Sequence, residues 1–248
     1  MIYLDNSATT KIDPEVKRIM DDVSEKFFAN PSSIHGLGGE VERLLREARE
    51  TAGRCLGIPA SSVIFTSGGT EGNNLIVKGI AIERRHRGKH LITTQIEHPS
   101  VYESFEQLER FGFEVTYLPV DSRGLVDPED LRKALTPETT LVSIMAVNNE
   151  VGVIQPLEAL GAVIREHSRA AFHVDAVQAL GKMSLPLQAW GINAATFSSH
   201  KIHGPKGVGL VYLAPNIAIE PLLVGGGQQE GKRPGTENVP GIVGMVKA

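Results

Sequence analysis

The sequence predicts an α/β protein, a three-layer sandwich built on a mostly parallel, seven-stranded sheet. Short apolar runs alternate along the chain with amphipathic stretches of helical spacing, which is the pattern of a layered α/β fold. Most of these runs lack an alternation of apolar and polar residues, as expected for strands covered by helices on both faces. With 41% hydrophobic and 22% charged residues, the composition is that of an ordinary globular domain.

Seven runs have strand character, and the last two are connected differently from the rest. The runs are Val63 to Thr66, His90 to Thr94, Glu114 to Leu118, Leu141 to Ala146, Ala171 to Val174, Ala194 to Phe197 and Gly209 to Leu213. Only the short segment from Ser198 to Val208 separates the last two runs. Because a parallel pair needs a long crossover connection, we expect these two strands to be antiparallel.

Capping residues mark where several helices begin. Asp13 with Pro14, and Asp127 with Pro128, each combine an N-cap residue with proline at the first helical position. A longer helix carries an apolar face that includes Cys55, which we expect to be a buried, unreactive packing residue. Further helices are predicted after Thr70, Pro99 and Pro156.

Charge, cysteine count and the length of the apolar runs exclude several classes of function. The net charge of −4 gives no basic surface of the kind that binds nucleic acid. A single cysteine excludes a disulfide framework and any metal site built from several cysteines. No apolar run approaches the ~18 residues of a membrane span. No secretory signal opens the sequence, so we expect a cytoplasmic protein without a membrane partner.

The length and the C-terminal residues bear on domain organisation. A chain of 248 residues predicts one large domain with part of a second. Asn238 and Pro240 start another predicted helix, and the sequence ends at Ala248 without a helix cap. We therefore expect a C-terminally incomplete protein.

Candidate functional residues follow the strands, at the sheet edge where open α/β folds bind ligands. After the first strand, the segment SGGTEGNN at 67–74 leads into a helix. Gly69 lets the backbone close on an anion, Thr70 adds a hydroxyl, and the helix N-terminus supplies free N–H groups. The segment is neither a P-loop nor a dinucleotide fingerprint. It predicts a phosphate cradle, although a plain glycine-rich turn explains this motif alone equally well.

Three other strand ends carry single candidates. His98 follows the second strand and can stack on a planar ligand or move protons. Asn149 follows the fourth strand, where its amide can donate to a ligand or close an Asx turn. Asp175 follows the fifth strand, where a buried carboxylate needs a partner such as a protonated heterocyclic nitrogen.

The sixth strand leads into the segment SSHKIHGPKG at 198–207. Lys201 lies in a glycine-bounded stretch, where burial lowers the pKa of an amine and makes it a nucleophile. Ser198 and His200 are candidate phosphate ligands. A surface lysine in a polar loop is the alternative, and zinc at His200 and His203 is disfavoured because no helix or third ligand is evident.

Together these residue types match the requirements of pyridoxal 5′-phosphate. Lys201 would bind the cofactor covalently, and Asp175 would keep its pyridine nitrogen protonated so that the ring withdraws electrons. The glycine-rich segment would hold the phosphate group. Their coincidence at successive strand ends favours this cofactor over a separate structural explanation for each residue.

Eight ordered segments resemble the cysteine desulfurases of the NifS/IscS type, which are fold-type I pyridoxal-phosphate enzymes of the class-V aminotransferase family. The segments are YLDNSATT at 3–10, NPSSIHGLG at 30–38, TSGGTEGNN at 66–74, IEHPSV at 96–101, VNNEVG at 147–152, HVDAVQ at 173–178, SSHKIHGPKG at 198–207 and GTENV at 235–239. The resemblance implies a cofactor-binding large domain over residues 14–248. It assigns residues 1–13 to a small domain whose C-terminal part is missing.

The resemblance also implies a role for each matched residue. Lys201 binds the cofactor and carries the proton between substrate and cofactor, while His98 stacks on the ring and acts in acid–base steps. The other implied cofactor ligands are Gly69, Thr70, Asn149, Asp175, Gln178, Ser198 and His200, and Gln178 donates to the phenolic oxygen. Thr236 reaches the phosphate in the other subunit, which implies a homodimer.

The family converts L-cysteine to L-alanine and passes the sulfur, as an enzyme persulfide, to an iron–sulfur scaffold or tRNA-thiolation protein. The family's persulfide cysteine and carboxylate-binding arginine follow the GTENV segment and have no counterpart before Ala248. We therefore expect this chain to bind the cofactor but to turn over cysteine poorly. The alternatives are another class-V enzyme, such as an aminotransferase or selenocysteine lyase, and a non-catalytic cofactor-binding fragment.

Overall fold

A computed structural model describes residues 2–248. Within this range the strands are β1 (Val63–Thr66), β2 (His90–Thr94), β3 (Glu114–Leu118), β4 (Thr139–Ser143), β5 (Ala171–Asp175), β6 (Ala194–Ser198) and β7 (Gly209–Leu213). The α-helices are α1 (Pro14–Lys26), α2 (Gly36–Leu56), α3 (Gly69–Arg84), α4 (Pro99–Arg110), α5 (Pro128–Ala134), α6 (Leu157–His167) and α7 (Val239–Lys247).

The strands form one seven-stranded sheet in the order β1-β7-β6-β5-β4-β2-β3. Pairing is parallel from β3 through β2, β4 and β5 to β6. β7 is antiparallel to both of its neighbours, β6 and β1, so the predicted antiparallel pair is confirmed. Because only β7 is reversed among the described strands, the other strands all end at one edge of the sheet.

Helices cover both faces of the sheet, which confirms the predicted three-layer arrangement. On one face, Gly72 of α3 approaches β6 so closely that a Cβ there would lie 2.7 Å from Thr196 Cγ2. On the other face, Gly161 of α6 packs near β5, and a Cβ at Gly161 would lie 3.6 Å from Cε1 of the Phe172 ring. Small residues at these positions let the helices pack closely onto the strands.

The predicted N-caps are confirmed. The Asp13 side chain accepts a hydrogen bond from the Glu15 N–H at 2.7 Å, and Asp127 accepts from the Glu129 N–H at 2.8 Å. Capping by a carboxylate oxygen satisfies one of the free donors of the first turn. Among the strands, β4 differs from the prediction because it begins and ends earlier, at Thr139 and Ser143.

The expectation that Cys55 is buried is wrong, because its side chain is exposed. The buried stripe of α2 passes through Val41, Leu45, Ala48 and Ala52. After the helix, Gly57 turns the chain with a φ of 66°, and the Ile58 carbonyl packs 2.8 Å from the Cβ position of Gly53. The returning chain therefore covers the end of the stripe, and Cys55 is left on the solvent side.

Between residues 2 and 248, no helix has the length and apolar character needed to cross a bilayer.

Candidate active site

A cavity of about 410 Å³ opens at the edge of the sheet where the parallel strands end. Nine of the ten predicted site residues line it: Gly69, Thr70, His98, Asn149, Asp175, Gln178, Ser198, His200 and Lys201. Thr236, the tenth, is exposed and lies outside this lining. The sheet topology explains the convergence, because these residues follow strands whose carboxyl ends share one edge.

The loop between β1 and α3 requires glycine at two positions. Gly68 has a φ of 153° and a ψ of −175°, a backbone conformation that is essentially restricted to glycine. At Gly69, a Cβ would lie 2.8 Å from Val177 Cγ2. Since α3 begins at Gly69, its first turn leaves backbone N–H groups without helical partners beside Thr70. The loop therefore offers small residues and free donors, which suit an anion.

Asp175 lies at the end of β5 with a buried side chain. Its Oδ1 accepts from the Val177 N–H at 3.0 Å, and its Oδ2 accepts from Asn73 Nδ2 at 2.8 Å. Burial raises the pKa of Asp175, whereas these hydrogen bonds and nearby His98 and Lys201 act in the opposite direction. The carboxyl group is thus held in place by two donors and is suited to pair with a buried cation.

Lys201 lies in the single helical turn that follows β6. Its Nζ donates to the backbone carbonyl of Ala8 at 2.9 Å and to that of Ser7. Burial and nearby Lys182 lower the pKa of Lys201, while Asp175 and Asp5 oppose this shift. A lowered pKa increases the fraction of neutral amine, which is the nucleophilic form.

The N-terminal segment lies against the same cavity. Gln178 Nε2 donates to the Ser7 carbonyl at 2.8 Å, and Thr9 Oγ1 lies 3.0 Å from His200 Nδ1. The backbone N–H of Thr10 donates to the His200 carbonyl at 2.8 Å. These contacts make residues 7–10 part of the wall of the site. The assignment of residues 1–13 to a separate small domain stays a prediction.

The two cavity histidines are held through their Nδ1 atoms. His98 caps α4, where its Nδ1 accepts from the Ser100 N–H at 3.1 Å, and its ring is exposed at the cavity. His200 Nδ1 bonds to Thr9, and burial together with Lys201 and Lys206 lowers the pKa of His200. In both residues Nε2 is the nitrogen that is left for a ligand.

Ser198 and Asn149 differ in how firmly they are held. Ser198 is the buried last residue of β6 and lines the floor beside Lys201. Asn149 follows β4, and its Nδ2 donates to Oε1 of the neighbouring Glu150 at 2.7 Å. The Asx turn in this loop is closed by Asn148, whose side-chain oxygen accepts from the Glu150 N–H at 2.9 Å. The amide of Asn149 is therefore free of the turn and can face a ligand.

Sequence reasoning missed three polar residues at the cavity wall, of which Asn73 and Ser100 belong to its lining and Glu97 lies outside it. Asn73 and Ser100 connect Asp175 to His98 by hydrogen bonds. Glu97 is buried, and its Oε1 accepts from Thr94 Oγ1 at 2.8 Å and from the Met145 N–H at 2.9 Å. Burial raises the pKa of Glu97 to about 8. All three lie inside the recognised motif segments, but only the packing reveals which polar side chains point inward.

The zinc interpretation of His200 and His203 has no support in the structure. Throughout residues 2–248, no group of three His, Cys, Asp or Glu side chains is arranged to hold a metal ion. The Nδ1 atom of His203 instead bonds to the Lys11 carbonyl at 3.0 Å. Through these contacts, His200 and His203 hold the N-terminal segment against the segment that follows β6.

Comparison with known proteins decides the family. Residues 2–248 match the family model described as aminotransferase class-V. The chain belongs to the class-V aminotransferase family. The resemblance drawn from the eight motif segments is thereby confirmed.

Individual relatives and solved structures are also similar to this chain. A cysteine desulfurase IscS from Dictyoglomus turgidum is 47% identical over 247 residues, an alignment that covers all of this chain and 62% of that relative. The solved structure of a NifS-like protein has a TM-score of 0.97 and 45% identity, over 99% of this chain and 68% of that one. A structure of SspA in complex with cysteine has a TM-score of 0.95 and 38% identity, over 100% and 72% of the two chains.

Class-V aminotransferases and cysteine desulfurases depend on pyridoxal 5′-phosphate, and the residues of this cavity fit that cofactor. At the start of α3, Gly69 leaves room for Val177 and Ser198 of the cavity lining, and the first turn of the helix offers free backbone donors to an anion. Asp175 offers a buried carboxylate to a pyridine nitrogen, and Lys201 offers an amine whose pKa is lowered. An anion cradle, a carboxylate and an amine are the donor set that this cofactor needs.

Proposed function

We propose that this chain is the cofactor-binding part of a cysteine desulfurase, which removes sulfur from L-cysteine and leaves L-alanine. The observation that carries the proposal is the convergence of Lys201, Asp175 and the glycine-rich loop in one cavity. The chain spans 62% of the length of the Dictyoglomus turgidum desulfurase, and the two are 47% identical. The cysteine found with the similar SspA structure supports a small thiol amino acid as substrate.

Each group of residues that lines the cavity has a proposed role. Bound pyridoxal phosphate supplies an electron-withdrawing ring that stabilises negative charge on the substrate α-carbon. Asp175 pairs with the ring nitrogen, and Gln178 donates to the phenolic oxygen. The phosphate is held by Gly69, Thr70, Ser198 and His200. These four residues surround the start of α3 and the end of β6, where two strand ends meet.

The remaining residues face the substrate. Lys201 would hold the cofactor through Nζ, and the same amine would take the proton from the substrate α-carbon. His98 would face the ring, and Asn149 would orient cofactor and substrate through its amide. Burial and nearby Lys182 lower the pKa of Lys201, against the opposing effect of Asp175 and Asp5, and this increases the fraction of neutral amine that can accept a proton.

The sulfur must leave on a thiol other than Cys55. Cys55 lies in the last turn of α2 and is absent from the cavity lining. A thiol supplied by another segment or another protein would accept the sulfur. We propose that the final acceptor is an iron–sulfur scaffold or tRNA-thiolation protein in the cytoplasm.

We propose that the working form is a homodimer in which Thr236 reaches the phosphate bound by the other subunit. Thr236 itself is exposed, and the same segment exposes Leu223 and Val224, at 52% and 93%. Exposed apolar residues are typical of a subunit interface. Sedimentation should give a dimer for the wild-type chain and a monomer for Val224→Asp, and a monomeric wild-type chain would reject this assembly.

The decisive experiment traps the cofactor. The purified chain is incubated with pyridoxal phosphate and reduced with borohydride, and the modified peptide is mapped by mass spectrometry. We expect one adduct per chain, at Lys201. Adducts scattered over exposed lysines would contradict the proposal.

A second experiment separates the desulfurase from other class-V chemistry. The loaded chain is mixed with L-cysteine, with L-selenocysteine, or with L-alanine and a 2-oxo acid, while the cofactor absorbance is followed. We expect a spectral response to L-cysteine with little sulfur release, because Cys55, the one cysteine of the sequence, does not line the cavity. Conversion of the cofactor to its amine form by L-alanine would indicate an aminotransferase, and a response to L-selenocysteine alone would indicate a selenocysteine lyase.

A further inference from the structure

Asp175 and His98 are joined by a short chain of hydrogen bonds along the cavity wall. Asn73 Nδ2 donates to Asp175 Oδ2 at 2.8 Å and to Ser100 Oγ at 2.9 Å. Ser100 Oγ lies 2.8 Å from His98 Nδ1. Asn73 is only 1% exposed, whereas Ser100 is half-buried and His98 is exposed, so the connection leads from the buried Asp175 to the cavity surface.

The orientation of the Asn73 amide follows from its neighbours. Rotating the amide by half a turn would place its oxygen against the Asp175 carboxylate, where two acceptors would repel each other. With the nitrogen facing Asp175, both N–H groups are used, one by Asp175 and one by Ser100. The buried Oδ1 then has no hydrogen-bond partner among the described residues. The carboxylate thus holds the amide in place at the cost of one unpaired acceptor.

This orientation determines where the hydrogen atom of the Ser100 hydroxyl points. Because Ser100 Oγ accepts from Asn73, its own hydrogen is available to His98 Nδ1. The Ser100 backbone N–H donates to the same Nδ1 at 3.1 Å. Two donors facing one ring nitrogen require that nitrogen to be an unprotonated acceptor. The proton of the neutral ring is then on Nε2, the nitrogen that Ser100 does not hold.

We propose that Asn73 and Ser100 are positioning residues that fix His98 as its Nε2–H tautomer, so that the ring presents a hydrogen-bond donor to the cavity. In this arrangement the position of the Asp175 carboxylate and the tautomer of His98 are coupled through this chain of hydrogen bonds. The identity of the ligand rests on the proposed function above, whereas the tautomer is a property of the chain itself.

The first test needs no cofactor. Two-bond ¹H–¹⁵N correlation spectra of the histidine-labelled, cofactor-free chain identify which ring nitrogen of His98 carries the proton, with His98→Gln used to assign the signal. We expect the Nε2–H form in the wild-type chain. A protonated Nδ1 in the neutral ring would overturn the proposal.

The second test asks whether the two positioning residues act as one unit. We measure the dissociation constant of pyridoxal phosphate for Asn73→Ala, Ser100→Ala and the double variant. Loss of a hydrogen bond to a charged group weakens binding by about tenfold, so we expect that loss for Asn73→Ala and a smaller one for Ser100→Ala. The double variant should bind no more weakly than Asn73→Ala, because the Ser100 hydroxyl acts only through the same chain of bonds. Losses that multiply in the double variant would overturn the coupling.

Two further variants distinguish a specific positioning role from a general structural effect on cofactor binding. Ser100→Thr retains a hydroxyl and should restore the wild-type dissociation constant and the visible circular dichroism of the bound cofactor. Asn193→Ala removes an amide at the amino edge, whose Oδ1 accepts from the Phe172 N–H at 2.9 Å, and should change the constant less than twofold. Equal losses in Asn193→Ala and Asn73→Ala would count against a specific role for Asn73. Failure of the chain to bind the cofactor at Lys201 would reject the proposed function, while the tautomer measurement would still decide this inference.

Discussion

Strand β2 has a histidine near each end, and the two have different surroundings. At the start of the strand, buried His90 has both ring nitrogens occupied, Nδ1 at 2.7 Å from Thr139 Oγ1 and Nε2 at 2.8 Å from Thr116 Oγ1. Beyond its end, exposed His98 uses only Nδ1, which contacts Ser100. A histidine whose nitrogens are both bonded holds the structure together, whereas one with a free nitrogen is available to a ligand.

The same contrast extends to the two edges of the sheet. At the amino edge, His90 and two threonines bond to one another and leave none of these atoms unpaired. Among residues 2–248, three buried polar atoms at the carboxyl edge have no partner, Asn73 Oδ1, Glu97 Oε2 and Ser199 Oγ, against one at the amino edge, Ser62 Oγ just before β1. Unpaired buried polar atoms are costly and concentrate where a protein has a function beyond folding. Three of these four atoms thus lie at the carboxyl edge, where nine of the predicted site residues also converge.

The largest expected effect is that of Lys201→Ala on cofactor attachment. Removing Nζ removes the atom that binds the aldehyde, so the borohydride-stable adduct should disappear completely while the circular dichroism of the fold is retained. Lys78→Ala is the matched control, because burial lowers the pKa of both lysines but Lys78 lies outside the cavity. An adduct at full yield in Lys201→Ala would show that another lysine binds the cofactor.

The next effect concerns the buried carboxyl group of Glu97. Burial raises its pKa to about 8 in the folded chain, whereas an unfolded glutamate has a pKa near 4.5. The folded state therefore binds more protons over this interval, and its stability decreases as the pH rises towards 8. Glu97→Gln cannot ionise and should remove this loss, which amounts to about 3 kcal/mol between pH 5 and pH 8.

Denaturant unfolding of both chains at the two pH values measures this difference. At pH 5, Glu97 and the glutamine that replaces it are both neutral in the folded state. The stability difference at pH 5 therefore measures only the cost of exchanging a carboxyl oxygen for an amide nitrogen. A stability difference that is the same at pH 5 and pH 8 would mean that Glu97 is ionised in the folded chain.

Two crowded glycines, one at each edge of the sheet, allow the same substitution to be compared at the carboxyl and amino edges. Gly69→Ala would place a Cβ 2.8 Å from Val177 Cγ2 in the cradle, and we expect cofactor binding to weaken by about tenfold. Gly88→Ala, before β2, would press a Cβ against the Glu138 carbonyl and should lower stability without changing the affinity of the folded chain. Adding Val177→Ala should restore binding to Gly69→Ala. Equal loss of affinity in both glycine variants would abolish the distinction between the edges.

The sequence predicts the sheet and the residues of the cavity better than it predicts their partners. Strand ends are readable because apolar runs stop at glycine, asparagine or aspartate, and parallel strands bring those ends together. For this reason Asp175 and Lys201 could be assigned to one site without a structure. Their roles nevertheless remain proposals.

The features that could not be predicted from the sequence depend on packing between distant segments. The bond between Asn73 and Asp175 joins residues 102 positions apart, and no local pattern indicates it. Cys55 continues the helical period of α2, yet the chain that returns after Gly57 takes its place against the core. Periodicity predicts a face, but a later segment determines whether each position on that face is covered.

The smallest effects come from exchanging the two histidines of β2 for glutamine, and they should be reciprocal. His90→Gln keeps one hydrogen bond at most and leaves a buried threonine hydroxyl unpaired, so we expect a loss of about 1–2 kcal/mol in unfolding free energy. Because His90 lies at the amino edge, the dissociation constant of pyridoxal phosphate should stay within twofold of the wild-type value. His98→Gln removes the Nδ1 cap of α4, so it should lower the unfolding free energy by no more than about 1 kcal/mol, but it should weaken cofactor binding. Denaturant unfolding and cofactor titration of both variants measure the two effects, and a loss of affinity in His90→Gln equal to that in His98→Gln would refute the functional difference between the edges.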